Sequence, residues 1–151
     1  MRINLNCIAT ICMLLFSTPA LSTCWNLAEY TYGIDANLLK AIAHAESGMN
    51  SAAMNRNTNG TYDIGLMQIN STHLPRLKGI GVTEEMLIVN PCISLLTGAS
   101  ILNGMIRQYG YGWEAVGAYN AGTSSKRVKL RKKYATKIAR IYRNSNGYYP
   151  W

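Results

Sequence analysis

One acidic residue at the end of an apolar helix constrains this chain more than any other feature. Residues 36–45 (ANLLKAIAHA) predict a helix, with Asp35 as N-cap and Leu38, Leu39 and Ile42 on one face. Glu46 continues that face, because positions 39, 42 and 46 recur at helical spacing. Gly48 supplies a stop. Glu46 therefore belongs to the last turn, beside apolar neighbours and near the negative end of the helix dipole. Both surroundings disfavour the anion and predict a raised pKa. A carboxyl held neutral near neutral pH can donate a proton. An isolated glutamate at such a place is more often a solvated surface group; the residues that follow favour the buried one.

Seventeen residues later comes Asp63, at the end of a stretch built mainly of Asn, Ser, Thr and Gly. Asn59-Gly60 predicts a type I′ turn between short polar strands, residues 54–58 and 61–64. That antiparallel hairpin would set Asp63 opposite the helix end across a gap, hydrogen-bonded and ionised. The plain alternative is a turn-capping aspartate. Two carboxyls with opposed environments are the arrangement used to cleave glycosidic bonds.

The N-terminus bears on compartment. Met1-Arg2, the apolar run Ile8 to Phe16 and Pro19-Ala20-Leu21-Ser22 read as a secretory signal peptide over residues 1–22. The run is shorter than the roughly 20 residues that span a bilayer, so the mature chain is expected to carry no transmembrane segment. Export to the periplasm follows. Residues 23–151 suffice for one domain with its own core. Cys7 and Cys12 leave with the leader, and Cys24 and Cys92 remain as an even pair. A disulfide is the simple reading in an exported chain. The competing reading is a lipidated Cys24; Thr23 fits that poorly, and it would strand Cys92. His44 and His73 stand alone without ligand-like spacing, so neither a metal nor another cofactor is expected. The net charge is +8, but nucleic acid is an improbable partner behind an export signal.

The remaining segments read as mostly helical. Residues 24–32 predict a short helix ending at Gly33, and residues 71–82, with Pro75, Gly79 and Gly81, predict loop. Thr83 caps Glu84 to Val89, and Asn90-Pro91 restarts a helix running to Tyr109. That helix presents Ile93, Leu96, Ser100, Met105 and Ile106. A shorter helix, Trp113 to Tyr119, is broken by Ala121-Gly122. Residues 126–143 hold nine Lys and Arg and no acid, with Tyr134, Ile138, Ile141 and Tyr142 as an apolar stripe. An amphipathic helix over about 125–143 is expected, capped by Ser124 or Ser125, with a basic outer face. That face is either simply solvated or attracted to the anionic cell wall, membrane headgroups or an acidic partner. The fold class is α+β, mostly helical, with a small antiparallel hairpin.

Three motifs, Glu46-Ser47, Gly65-Leu66-Met67-Gln68 and Ala118-Tyr119-Asn120-Ala121-Gly122, resemble in order and spacing those of the soluble lytic transglycosylases of SLT type. The run from Asn55 through Asp63 to Asn70 is similar to animal c-type lysozymes. The likeness extends to small transglycosylases associated with type III secretion, type IV pilus and conjugation systems. It implies a lysozyme-like fold and peptidoglycan as substrate, cut at the β-1,4 bond between N-acetylmuramic acid and N-acetylglucosamine. It implies that Glu46 protonates the glycosidic oxygen. As carboxylate, Glu46 then takes the proton from the muramyl C6 hydroxyl, giving a 1,6-anhydro end without a cofactor. It also implies that Tyr119 holds Glu46 and that Gln68 and Asn120 bind sugar amides or hydroxyls. Ser47 would orient Glu46 or touch substrate, and Met67 would pack on a sugar face unless it is core. Asp63 departs from most such transglycosylases and matches lysozymes, which keeps a muramidase using Glu46 and Asp63 open. A docking component of an envelope-spanning machine, with the basic helix as its working surface, is the non-enzymatic alternative. An intact Glu46 argues against it.

Overall fold

The computed structural model describes residues 21–146, with side chains to Asn144. Residues 1–20, which hold most of the expected signal peptide, and the C-terminal Tyr148-Tyr149-Pro150-Trp151 lie outside the described residues.

Helix α1 (Leu21–Tyr32) ends at Gly33, whose φ of 65° is left-handed. Helix α2 (Ala36–Ser47) begins where the Asp35 carboxylate accepts from the Asn37 N–H at 2.7 Å, and ends at a left-handed Gly48. Leu38, Leu39 and Ile42 are fully buried along it. Each contributes on the order of 1.5–3 kcal/mol, which is what docks this helix.

The sheet has three antiparallel strands, one more than expected: β1 (Met54–Arg56), β2 (Tyr62–Ile64) and β3 (Ile69–Asn70), in that order. Asp63 pairs with Asn55 on one side and Asn70 on the other. The first connection is not the type I′ turn. Among the described non-glycine residues only Met49 and Gln68 have positive φ, so Asn59 keeps a negative φ and in this connection Gly60 alone takes the left-handed position. Gly60 N donates to Asn57 O at 3.2 Å and Asn57 N to Thr61 O at 2.8 Å. This is the three-residue alternative, a turn followed by a left-handed glycine. The Asn59 side chain accepts from both Thr61 N and Thr61 Oγ1, which accounts for Asn at this place.

Residues 71–82 are not simple loop. A short 3-10 turn (Ser71–His73), started by the Asn70 side chain accepting from Thr72 N, runs into α3 (Leu74–Lys78) with Pro75 in its first turn. Proline there costs no hydrogen bond. Helix α4 (Glu84–Val89) is capped by Thr83, and α5 (Pro91–Tyr109) by Asn90, whose side chain accepts from the N–H groups of Cys92 and Ile93.

Helix α5 is the axis of the core. It packs against α1, α2, α4, β3 and α6 (Trp113–Ala121). Its deepest residues are Ser94, Leu95, Thr97, Gly98, Ala99 and Leu102, not the expected stripe through Ile93, Leu96 and Ser100. A helix enclosed on several sides places small residues where partners approach, and a search for large apolar side chains misses that face. The Cys24–Cys92 disulfide ties α1 to the first turn of α5.

A second 3-10 turn (Ser125–Arg127) leads into α7 (Val128–Asn146), without a capping hydrogen bond from the Ser124 side chain. Tyr134, Ile138 and Tyr142 are buried as expected, but so is Arg131 at 5% exposure. Its guanidinium pairs with Glu114 at 2.5 Å, donates to Gly122 O and Ser124 O, and lies 5.5 Å from the Tyr109 ring centre. Arg131 therefore belongs to the α6–α7 joint and not to the outer basic face. A Cβ on Gly117 would sit 2.5 Å from the Arg131 carbonyl oxygen, so α6 and α7 meet at backbone distance.

Candidate active site

The end of α2, the sheet and the end of α6 enclose a cleft of about 760 Å³. Glu46, Asp63, Gln68, Tyr119 and Asn120 all line it; Ser47 and Met67 do not.

Glu46 sits in the last turn of α2, half-buried. Burial pushes its pKa above the ordinary value, reinforced by the negative charge of Asp63. Three groups oppose that shift without cancelling it: the Tyr134 hydroxyl, the Lys137 ammonium and the Asn120 amide. The Tyr134 hydroxyl donates to Glu46 Oε1, which leaves Oε2 to carry a transferable proton. Burial and the adjacent Glu46 carboxylate hold Tyr134 far above the usual phenol range, so it stays a donor. Lys137 Nζ donates to Ala45 O at 3.0 Å, placing a cation at the C-terminal end of α2 beside the carboxyl.

Tyr134 and Lys137 are not site candidates in the sequence, where Tyr134 belongs to the apolar stripe and Lys137 to the basic face. Their involvement depends on α7 crossing α2, which no local pattern encodes. The role expected of Tyr119 falls to Tyr134. The Tyr119 hydroxyl instead donates to Met67 O at 2.7 Å. It lies close enough to both carboxylates that their charges, after burial, raise its own pKa well above the ordinary value.

Asp63 is held by two amides. Asn57 Nδ2 donates to Oδ2 at 3.0 Å and Asn70 Nδ2 to Oδ1 at 2.7 Å. Asn57 comes from the hairpin turn and Asn70 from the paired residue of β3, so sheet register sets the carboxylate's direction.

The segment Gly65–Gln68 is a frame behind the cleft. Met67 is fully buried against Gly98, where an added Cβ would come within 2.8 Å of it, so its side chain is core and not a sugar contact. Met67 N donates to Ser94 Oγ at 3.1 Å. Gln68 is left-handed at φ 50°, and its amide is occupied by Ala53 O, Gly65 O and Asn55 Nδ2. It closes the turn that precedes β3 and lines the cleft as a wall. Ser47 Oγ lies 2.7 Å from Leu66 O and 3.1 Å from Ala43 O. It stitches the end of α2 to this frame and does not orient Glu46. Among the described residues no group of three or more His, Cys, Asp or Glu could hold a metal ion.

Two carboxyls thus share one groove, one with its pKa raised by burial and one clamped by amide donors. The family model of the transglycosylase SLT domain matches residues 23–142. The chain belongs to the transglycosylase SLT family. It is therefore a peptidoglycan lytic transglycosylase, an enzyme that acts outside the cytoplasm. Among its relatives, invasion protein IagB of Salmonella typhimurium (strain SL1344) is 52% identical over 134 residues, covering 89% of this chain and 84% of that one. Protein IpgF of Shigella flexneri is 55% identical over 119 residues, covering 79% and 78%. The fold matches the lytic transglycosylase Slt of Pseudomonas aeruginosa, solved as an inactive glutamate-to-glutamine mutant, with a TM-score of 0.62 at 21% identity. That match covers 85% of this chain and 24% of Slt. The fold is thus the lysozyme-like one of the SLT transglycosylases. No helix among the described residues is long and apolar enough to cross a membrane.

Proposed function

We propose that this SLT transglycosylase cuts the β-1,4 bond between N-acetylmuramic acid and N-acetylglucosamine, with Glu46 as the single acid and base. The observation that carries this is the Glu46 carboxyl, kept above its ordinary pKa by burial while Tyr134 occupies Oε1. Glu46 Oε2–H protonates the glycosidic oxygen, the C1–O bond breaks, and positive charge develops at C1. The resulting Glu46 carboxylate takes the proton of the C6 hydroxyl, whose oxygen closes onto C1. The carboxylic acid is restored and the muramyl end is 1,6-anhydro. During the charged interval Tyr134 and Lys137 stabilise the Glu46 anion, and Asp63 faces the cationic carbon. Asn120 closes the cleft beside Glu46.

A mass spectrum of products from purified sacculi tests this. Anhydro ends are expected, one water lighter than reducing ends. Reducing ends would assign the chain to the muramidase reading, which the amide-clamped Asp63 favours. Asp63→Asn is expected to slow cleavage on the order of 10²-fold while the ends stay anhydro.

The site of action is the periplasm, reached through the N-terminal leader. The task we assign is local opening of the wall for an envelope-spanning secretion, pilus or conjugation apparatus. That the 52%-identical IagB is named an invasion protein accords with this. Deletion should halt assembly of such an apparatus, and Glu46→Gln should fail to restore it; restoration by Glu46→Gln would favour a docking role.

A further inference from the structure

Helix α7 turns one face into the core and the other to solvent. Arg131, Tyr134, Ile138 and Tyr142 are buried. On the opposite side Lys129, Lys132, Lys133 and Arg140 are all exposed. At 3.6 residues per turn they share an arc of about 100° along about 16 Å of helix axis. Thr136 and Arg143 fill the rest of that arc, so it holds no aromatic or aliphatic anchor. Exposed apolar side chains flank it in the first turn, Val128 on one edge at 49% exposure and Leu130 on the other at 54%. Glu114 is occupied by Arg131, and no Asp or Glu follows it in the sequence. None of the four cations has an acidic partner among the described residues.

Four like charges on one helix face repel one another, and an anionic cover relieves that repulsion. A protein partner matches this face poorly. Protein interfaces centre on aromatic and Arg anchors and are depleted in Lys, whereas three of these four cations are Lys. A bilayer with anionic headgroups asks for no register. Each Lys or Arg near its surface adds attraction wherever it stands, and apolar residues at the rim can enter the headgroup layer. The apolar stripe of α7 is already buried in the core, so the helix docks by its charges and does not embed. We propose that the outer face of α7 docks the domain on an anionic phospholipid surface, with phosphate headgroups covering Lys129, Lys132, Lys133 and Arg140. The docking face lies on the far side of the helix from Tyr134, so Tyr134 keeps its hydrogen bond to Glu46. The proposal goes beyond the glycan-cleaving reading, since it concerns where the enzyme is held and not what it cuts.

Co-sedimentation of the purified protein with vesicles tests this. One set is equal parts phosphatidylglycerol and phosphatidylcholine, the other phosphatidylcholine alone. Wild type is expected to bind the anionic set at least about tenfold more tightly, since each basic residue near such a surface is worth about fivefold. Raising the salt concentration should shrink that margin. The double variant Lys129→Glu, Lys132→Glu touches no residue of the catalytic cleft. It should lose about tenfold or more in vesicle binding and keep its rate on purified sacculi, which also shows that it folds. The control Lys40→Glu, Lys78→Glu makes the same change in net charge away from α7 and should keep most of the binding. Equal wild-type binding to both vesicle sets would overturn the proposal, as would an equal loss in both variants, which would leave only net charge. Binding to polyglutamate but to neither vesicle set would also overturn it and assign the face to an acidic protein. A fall in the α7 variant's rate on sacculi to match its lost vesicle binding would overturn it in favour of the wall itself. If wild type binds anionic vesicles but cleaves no sacculi, the glycan-cleaving reading fails and the docking face stands, with the fold of each variant read from its thermal melt.

Discussion

At the residue scale, the proposed chemistry depends on a competition at Glu46. Burial and Asp63 favour the neutral acid; Tyr134, Lys137 and Asn120 favour the anion, and burial wins. Tyr134→Phe removes a donor to the charged form. The pKa of Glu46 should therefore rise further, and the alkaline limb of the kcat/KM profile should move up by about one pH unit, with a lower maximal rate. A profile that does not move would separate Tyr134 from the acid. Glu46→Gln should cost about 10²- to 10⁴-fold in cleavage. Its effect on stability has a definite sign. A carboxyl whose folded pKa lies above 4.5 binds its proton more tightly when folded, so wild-type stability is full below that value and declines as pH rises through the raised pKa. The Gln variant lacks this decline. Its melting temperature should gain on wild type as pH rises above 4.5, as thermal melts at a series of pH values would show.

Among the elements, the placement of α7 is decisive. Gly117 permits it, because any side chain there meets the Arg131 backbone at 2.5 Å and cannot move aside as a flexible side-chain tip would. Gly117→Ala should cost about 1–3 kcal/mol in denaturant unfolding. It should also lower activity by withdrawing Tyr134 from Glu46, although Gly117 touches no substrate. A drop in stability with full activity would show that the joint does not set the site. The sheet works in the same way. Asn70 and Asn57 aim Asp63 only because β3 completes the sheet, and the left-handed Gln68 with its tied amide holds β3 in register.

For the whole molecule, the Cys24–Cys92 disulfide spans 68 residues and joins the first helix to the central one. Replacing both cysteines by serine should cost about 2–5 kcal/mol, seen as a lower denaturant midpoint that reducing agent no longer affects. At this scale the electrostatics also divide. Nine of the 15 Lys and Arg lie within residues 126–143, and no acid does. One face of the domain is therefore cationic next to a groove built for a carbohydrate.

Helix ends are legible in chain order alone, because caps are local. Asp35, Gly48, Thr83, Asn90 and Gly110 stand where backbone groups run out of partners, and chain order alone locates them. Glu46 at the end of an apolar helix and the Cys24–Cys92 pair are legible there too. What surrounds the acid comes from packing between distant segments. Tyr134 and Lys137 lie about ninety residues from Glu46, and their side chains look like stripe and solvent until α7 is laid across α2. The same holds for Arg131, whose burial depends on Glu114, the Gly122 and Ser124 carbonyls and the Tyr109 ring meeting it, and for Met67, whose depth depends on Gly98 leaving room. Local propensity reports on neighbours in sequence, whereas desolvation and hydrogen-bond supply at a carboxyl come from whichever elements the packing brings together.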